Sequence, residues 1–449
     1  MDISGWWYVL IAVLAYIGIV IALAKTGRIG PDHPLTLFGP ALMIKTKRGR
    51  ALLDRWGRFR RFWTVSGDIG IGLAVTSMVA IVVLLFIDAI VAIHLSPSQA
   101  PSPTEALGIP GLNPIIPLGY GIVALVVGIV LHELTHGVIA RSQKIGVKSL
   151  GVLWCVIPVG AFVEQDDEEM QKASRRIRDR VAAGGILANL VLAVVFFVGL
   201  SLVVSNSVAV NANGVGIAYI VPNTPAQNAS LAPGDIITAL NATPTPTDAA
   251  LQDFLANSTA GAPVAVTYYS VTVGHSVTTT ITLTSLERYT GDAADAHKGF
   301  LGIGISVLTP AQIRSTLINP FASSSGPLIG GIDWIVLPLA TIEPVQGATS
   351  SFFHVSGPLG GGNAGTFWIA ANILYWLAWM NLLLGISNAL PLVPLDGGLL
   401  FRDFAATLAA RIKRGWSEAR VEQFGGQAVA FTSILVLVLL VWQFVVPRL

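Results

Sequence analysis

The chain has 449 residues, of which 53% are hydrophobic and only 12% charged, and a mean hydropathy of +0.69 excludes an ordinary soluble protein of this length. A formal net charge of +2 hides a strong asymmetry and says little about partners; the basic cluster lies beside membrane spans, where a nucleic-acid reading is weak, so no nucleic-acid partner is expected. With Cys155 as the single cysteine, an intrachain disulfide and a cysteine-based zinc knuckle are both excluded.

Windows of roughly 20 residues with few or no charges occur at 5–24, 69–93, 117–140, 181–204, 367–393 and 427–446. They predict a polytopic α-helical membrane protein of about six transmembrane helices. The first window lacks a basic N-terminal region and a small-residue cleavage site, and reads as a retained helix. The connector after it carries Lys25, Arg28, Lys45, Lys47, Arg48, Arg50, Arg55, Arg58, Arg60 and Arg61 against Asp32 and Asp54. It belongs in the cytoplasm. Alternation then places residues 95–116, which have no Lys or Arg, outside, and the Arg-rich stretch 141–180 inside. Residues 205–366 fall outside, and the segment with Arg402, Arg411, Lys413, Arg414 and Arg420 inside. Both termini are expected to be extracytoplasmic, in a multi-pass protein of the cell membrane.

The third window contains His132-Glu133-Leu134-Thr135-His136. Histidines four residues apart on a helix project from one face, as two ligands of one metal ion require, and the glutamate between them is placed to act as a general base. Ionisable groups in a span cost roughly 2.5–3.5 kcal/mol each on insertion scales unless they face a protein interior or a polar cavity. Two hydrogen-bonded core histidines are the bland alternative.

After the fourth window the composition turns to Thr, Ser, Asn, Ala and Val in short alternating runs, the pattern of a soluble, strand-rich insertion. A strand is expected at Tyr219-Ile220-Val221 after a glycine-bearing loop at Gly214, Val215, Gly216 and Ile217. A turn into a short helix follows at Asn223-Thr224-Pro225-Ala226-Gln227. Another turn and strand are read from Leu231-Ala232-Pro233-Gly234-Asp235-Ile236-Ile237, and a helix from Asp248 to Leu255. Strands close the pattern at Val264 to Tyr269 and Val277 to Leu283. Over residues 211–287 this order resembles a PDZ domain, and the resemblance implies that Gly214 to Ile217 binds a peptide terminus or strand through backbone groups. A domain with an empty groove is the alternative. Residues 327–342, an apolar run broken by Asp333 and Pro338, read as interfacial.

Two histidines leave a catalytic zinc short of a ligand. The end of the fifth window, Asn388-Ala-Leu-Pro391-Leu-Val-Pro394-Leu395-Asp396-Gly397-Gly398, holds an acid among helix-breaking residues, and irregular backbone at membrane depth is tolerated only in protein or beside a wet cavity. Asp396 is the best candidate, and the charge assignment puts it at the same depth as the histidines. An interfacial acid capping the next helix is its bland reading.

With His-Glu-x-x-His in one span and Leu-Asp-Gly in a later one, the chain resembles the site-2 protease family of intramembrane zinc metalloproteases, most like its archaeal or bacterial members. The resemblance implies that His132, His136 and Asp396 hold one zinc ion per chain and that Glu133 is the general base and acid. Gly160-Ala161-Phe162-Val163-Glu164 resembles a membrane-inserted strand or loop that engages substrate backbone, which makes Gly160 and Phe162 substrate-binding candidates. Ala183-Gly184-Gly185-Ile186-Leu187-Ala188-Asn189 matches a family segment that usually has proline where this chain has Ile186. Asn189 and Asn388 match recurrent family asparagines. They either orient the substrate carbonyl or stabilise an oxyanion, or are helix-packing residues.

The organisation expected is an N-terminal membrane region at 1–116, the first part of a catalytic core at 117–205, an extracytoplasmic PDZ-like domain at 206–310 and an interfacial linker at 311–366. The second part of the core follows at 367–400, then a cytoplasmic segment with the last span at 401–449. The implied activity is hydrolysis of peptide bonds in or near the transmembrane segments of membrane proteins, in regulated intramembrane proteolysis. The partners are those substrates, membrane lipid and a peptide terminus at the PDZ-like domain. A catalytically silent scaffold that captures partners through that domain is the alternative from another class, and intact Glu133 argues against it. A metal-using channel or transporter ranks lower, because no inverted repeat is evident.

Overall fold

A computed structural model describes all residues except 1–2, 31–32, 106–107, 323–325, 341–344, 346 and 358–363. The elements in chain order are α1 (Ile3–Lys25), β1 (Leu35–Phe38), β2 (Ala41–Thr46), α2 (Arg50–Gly57), α3 (Arg60–Ala92), α4 (Leu118–Ser142), β3 (Val147–Cys155), β4 (Ile157–Gln165), α5 (Asp167–Lys172) and α6 (Arg175–Ser207). Next come β5 (Val208–Val210), β6 (Val215–Ile220), α7 (Pro225–Asn228), β7 (Ile236–Leu240), β8 (Thr243–Pro244), α8 (Asp248–Ala256), β9 (Pro263–Ser270) and β10 (His275–Thr282). The remainder are β11 (Thr284–Ser285), α9 (Glu287–Thr290), β12 (Gly299–Phe300), β13 (Ile303–Ile305), α10 (Pro310–Ile318), α11 (Pro327–Ala340), β14 (Phe353–Val355), α12 (Ala364–Asn388), α13 (Asp396–Ile412) and α14 (Glu418–Val445).

Among the described residues five helices are long and apolar enough to cross a membrane: α3, α4, α6, α12 and the last, spanning Glu418–Arg448 with its terminal turn. The apolar part of α1, Leu10–Lys25, is shorter. The helices α3 and α6 begin well before their apolar windows, at Arg60 and Arg175, because hydropathy marks the lipid-matched part of a helix and not the charged turns that continue it into water. The fifth window overshoots: α12 stops at Asn388, and residues 389–395 form a loop before α13.

The chain divides into two compact units, one of Met1–Asn113, Gly121–Val194 and Leu377–Leu449, the other of Pro114–Tyr120 and Val195–Trp376. In the first, small residues set how closely helices approach. A Cβ on Gly128 of α4 would meet Leu384 Cδ1 of α12 at 2.7 Å, and one on Gly70 of α3 would meet the Ala183 carbonyl oxygen of α6 at 3.1 Å. Arg180 of α6 grips Asp68 of α3 in a two-pronged pair, Nε–Oδ1 2.8 Å and Nη2–Oδ2 2.9 Å. The basic connector is not a plain loop. Its β1 and β2 extend the β3–β4 hairpin into a four-stranded antiparallel sheet in chain order, with Leu42 opposite Trp154. The Tyr16 hydroxyl of α1 donates to the Pro40 carbonyl at 2.6 Å, with the Trp154 carbonyl also within reach at 3.0 Å, and accepts from Leu42 N at 3.0 Å.

The second unit holds a sheet in the order β10-β9-β7-β6-β13 with β8 paired to β7, over a core of Val215, Ile217, Ile237, Leu240, Leu251, Val266 and their neighbours. The strand, short helix, strand, helix, strand and strand expected between residues 211 and 287 occur in that order. The segment 327–342 is the helix α11 as far as Ala340, and residues 341–342 lie outside the described residues. Gly214 to Ile217 is not an open loop. All four residues are buried, Val215 and Gly216 pair with Ile237 and Ile236, and Ile217 pairs with Ile305 of β13. With a neighbour on both sides, β6 has no edge to offer a peptide, and the outer strands of this sheet are β10 and β13. Glycine at these positions serves close packing instead: a Cβ on Gly216 would collide with the Phe352 ring, and one on Gly214 with the Ile237 carbonyl.

Candidate active site

Along α4 the buried positions include Gly121, Ala124, Gly128, His132 and His136, a stripe at helical spacing whose small residues turn to imidazoles where α6 crosses. Both histidines are 7% exposed. His136 Nδ1–H donates to the Val181 carbonyl at 2.7 Å, so its Nε2 is left as a bare lone pair. The Asn189 carboxamide sits 3.1 Å from His132 Nδ1. Turned so that its oxygen faces the ring, it accepts from Nδ1–H and leaves His132 Nε2 bare as well, the tautomer a metal ligand needs. Asn189 is 1% exposed and its carboxamide packs against the back of the His132 ring. Asn388 donates to Leu384 O at 3.0 Å within its own helix.

The third donor arrives from α13. Residues 389–395 fold back over the first turn of this helix, and Gly397 and Gly398 permit it: a Cβ on Gly398 would meet Leu392 O at 2.7 Å, and one on Gly397 would strike the carbonyls of Ala389 and Leu390. Asp396 is the first residue of α13, where a carboxylate is favoured by the helix dipole by about 0.3–1 kcal/mol. Its Oδ2 lies 3.2 Å from His132 Nε2 and 3.3 Å from His136 Nε2. The two Nε2 atoms are 3.1 Å apart.

These three separations test whether a metal fits. Tetrahedral ligands at zinc bond lengths of about 2.0–2.1 Å stand about 3.3–3.4 Å from one another, close to the observed triangle. Buried Asp396 Oδ2 has no directional hydrogen bond to satisfy it, an orphaned anionic oxygen that a cation would compensate. The donor set, two imidazoles and one carboxylate, is one that zinc takes in catalytic sites. His132, Glu133 and His136 offer ligand atoms within 4.8 Å of one another. Glu133 is half-buried, and its Oε2 accepts from Val163 N of β4 at 3.1 Å.

This hydrogen bond brings β4, an outer strand of its sheet, beside the candidate base. Gly160 and Phe162 lie on that strand, opposite Leu153 and Gly151. The Phe162 ring covers Gly151, where a Cβ would collide with it. A cavity of about 1030 Å³ opens from Glu133, His136 and Asp396 past Asp179, Arg178 and Arg402. Reasoning from sequence missed the Val181 carbonyl, which carries no residue-type signal. It also missed the contact of Asn189 with His132, although the position of Asn189 three turns after Arg178 on α6 could have suggested a shared face.

The profile of peptidase family M50 matches residues 120–436, 317 of 449 positions and so well over half of the chain. The chain belongs to peptidase family M50. Among its relatives are two proteins named "Putative zinc metalloprotease", one of Nostoc sp. and one of Clostridium perfringens. The first is 28% identical over 330 residues, 62% of this chain and 83% of the other. The second is 26% identical over 297 residues, 63% of this chain and 81% of the other. An uncharacterized protein of Methanocaldococcus jannaschii is 35% identical over 153 residues, 33% of this chain, and the match spans 40% of that protein's length. Among solved structures, the PDZ domain of an SdrC-like protein from Listeria monocytogenes aligns with 22% of this chain and 92% of its own at 21% identity. Its TM-score of 0.18 carries no argument about fold. Family and relatives make this M50 chain a metalloprotease. Where the sequence departs from its resemblance, Ile186 is fully buried in a cluster with Ala74, Ala182, Ala183, Ala389 and Leu400, so the side chain packs the helices that frame the site.

Proposed function

We propose that the protein hydrolyses peptide bonds in or near transmembrane segments of membrane proteins, in regulated intramembrane proteolysis. The observation that carries this reading is the triangle of His132 Nε2, His136 Nε2 and Asp396 Oδ2, with edges of 3.1–3.3 Å, among helices apolar enough to span a membrane. His132, His136 and Asp396 would hold a zinc ion, which when bound would supply Lewis acidity at the site. Glu133 takes the proton of the attacking water and passes it to the leaving amine. The outer strand β4 offers backbone groups to a substrate that has unwound, which offsets the cost of unpaired peptide groups in lipid. The cavity lined by Arg178, Asp179, Arg402 and Asp403 admits water from the side that the basic loops assign to the cytoplasm. The PDZ-like unit receives a peptide terminus along its outer strand β13 and selects substrates already trimmed by another protease.

The test is cleavage of a single-span membrane protein by the zinc-loaded chain in liposomes, with the cut mapped by mass spectrometry and zinc counted per chain. Wild type should hold about one zinc and cut within the span. His136→Ala should lose both, and Asp396→Asn should lose cutting and bind zinc far more weakly. A wild type that takes up no zinc, or cuts only outside the bilayer, sinks the reading. Deleting residues 211–287 should abolish the preference for trimmed over full-length substrate, and an unchanged preference removes the selection role.

A further inference from the structure

Two turns beyond Asp396 on α13 lies a carboxylate that the chemistry above does not use. Asp403 is 1% exposed. Its Oδ2 accepts from Arg178 Nε at 2.8 Å and its Oδ1 from Arg402 Nε at 3.1 Å. Asp396, Leu400 and Asp403, spaced by four and three, share one stripe of α13. Opposite them α6 presents Arg178, Ala182 and Ile186, spaced by four. Leu400 packs in one apolar cluster with Ala182 and Ile186, while Arg178 and Asp403 meet at the end away from Asp396.

The same α6 holds the histidines, through the Val181 carbonyl and Asn189. It is therefore the common reference for all three donors: its middle fixes the imidazoles, and its first turns grip α13. A buried ion pair is weak ground for stability, because desolvation offsets most of the attraction, and its best-attested use is to set register. Register matters here. Metal-ligand distances tolerate about 0.2 Å, whereas one residue of slip along a helix is about 1.5 Å. An apolar contact such as Leu400 against Ala182 slides at little cost, but a guanidinium pinned at Nε by the Asp403 carboxylate and at Nη2 by Glu422 does not.

We infer that Arg178 and Asp403 are positioning residues for the metal: their ion pair fixes the axial register of α13 against α6 and so the reach of the Asp396 carboxylate to the two histidines. The inference rests on the three-ligand zinc reading. Arg178 also donates from Nη2 to Glu422 Oε1 at 3.2 Å, and Arg175 to Glu418 and Glu422, which joins the start of α14 to the same clamp.

The test uses the full chain in detergent, stripped of metal and titrated with zinc against a chromophoric chelator, with cobalt(II) absorption as a report on ligand geometry. Asp403→Asn and the conservative Arg178→Lys should each weaken zinc by about 10- to 100-fold, as loss of an outer-shell partner does, and shift the cobalt spectrum. Glu418→Gln, which breaks an exposed arm of the same network, should change neither. If Asp403 acts through Asp396, adding Asp403→Asn to Asp396→Asn should cost less than about twofold more. A residue that merely stabilised the fold would cost the same factor in both backgrounds, and that result overturns the inference. So do unchanged affinity and spectrum in the folded variants. Should Asp403→Asn not fold, Arg178→Lys, which keeps the charge and loses the paired donors to Asp403 and Glu422, decides alone. Failure of wild type to bind zinc overturns the zinc reading itself, and this inference with it.

Discussion

Glu133→Gln should leave zinc bound at wild-type stoichiometry while lowering the cleavage rate by about 10²- to 10⁴-fold, the usual contribution of a positioned general base. At about 1.4 kcal/mol per tenfold, that is about 3–5 kcal/mol of barrier from one oxygen-to-nitrogen change. The substitution is clean for a structural reason. Glu133 is not part of the 3.1–3.3 Å donor triangle, and the hydrogen bond it accepts from Val163 N can be accepted equally by the glutamine carbonyl. The β3–β4 hairpin therefore stays where it is. A silent scaffold would not register the change, and a glutamine variant that cleaves at the wild-type rate would falsify the role given to Glu133. Single-turnover cleavage with zinc counted in the same sample separates loss of the base from loss of the metal.

The geometry of the candidate site was legible in the sequence because helical spacing turns a five-residue string into a shared face: positions four apart lie together, and the structure does place the His132 and His136 Nε2 atoms 3.1 Å apart. Asp396 was legible for a different reason, an acid among helix breakers at the right depth. What the sequence did not reveal is pairing across long separations. Leu35–Phe38 and Ala41–Thr46 are strands of four and six residues in a charged connector, and the distant strand that the second of them joins begins at Val147. Nothing local announces that contact. Glycine misled at Gly214 and Gly216, because the residue that permits a loop also permits a close approach, and only the positions of Ile237 and Phe352 tell the two apart. The grip of Arg178 on Asp403, 225 positions away, was hidden in a stretch where every arginine counted equally toward the charge of a loop.

Gly185→Ala should cost the protein its zinc, lowering affinity by more than the roughly 10- to 100-fold expected for an outer-shell change, and its activity with it. A Cβ at Gly185 would strike the Nε2 atoms of both His132 and His136, so the added methyl occupies the space beside the ligand lone pairs. The helix cannot back away freely, since Val181 O and the Asn189 carboxamide hold the rings from the same α6. Overpacking of this kind costs about 1–3 kcal/mol, partly offset by the roughly 0.5–1 kcal/mol that alanine gains over glycine inside a helix. Stability should thus move little while the metal is lost, a combination that general damage to the fold does not produce. Gly184→Ala is the internal control. Its Cβ would meet Ile139 Cδ1 at 2.7 Å, the far end of a flexible side chain that can rotate aside, so zinc should be retained. Zinc per chain and the thermal midpoint, measured on both variants in one detergent, decide the matter. Full zinc in Gly185→Ala would mean that the closeness of α6 to the imidazoles is not what shapes the site.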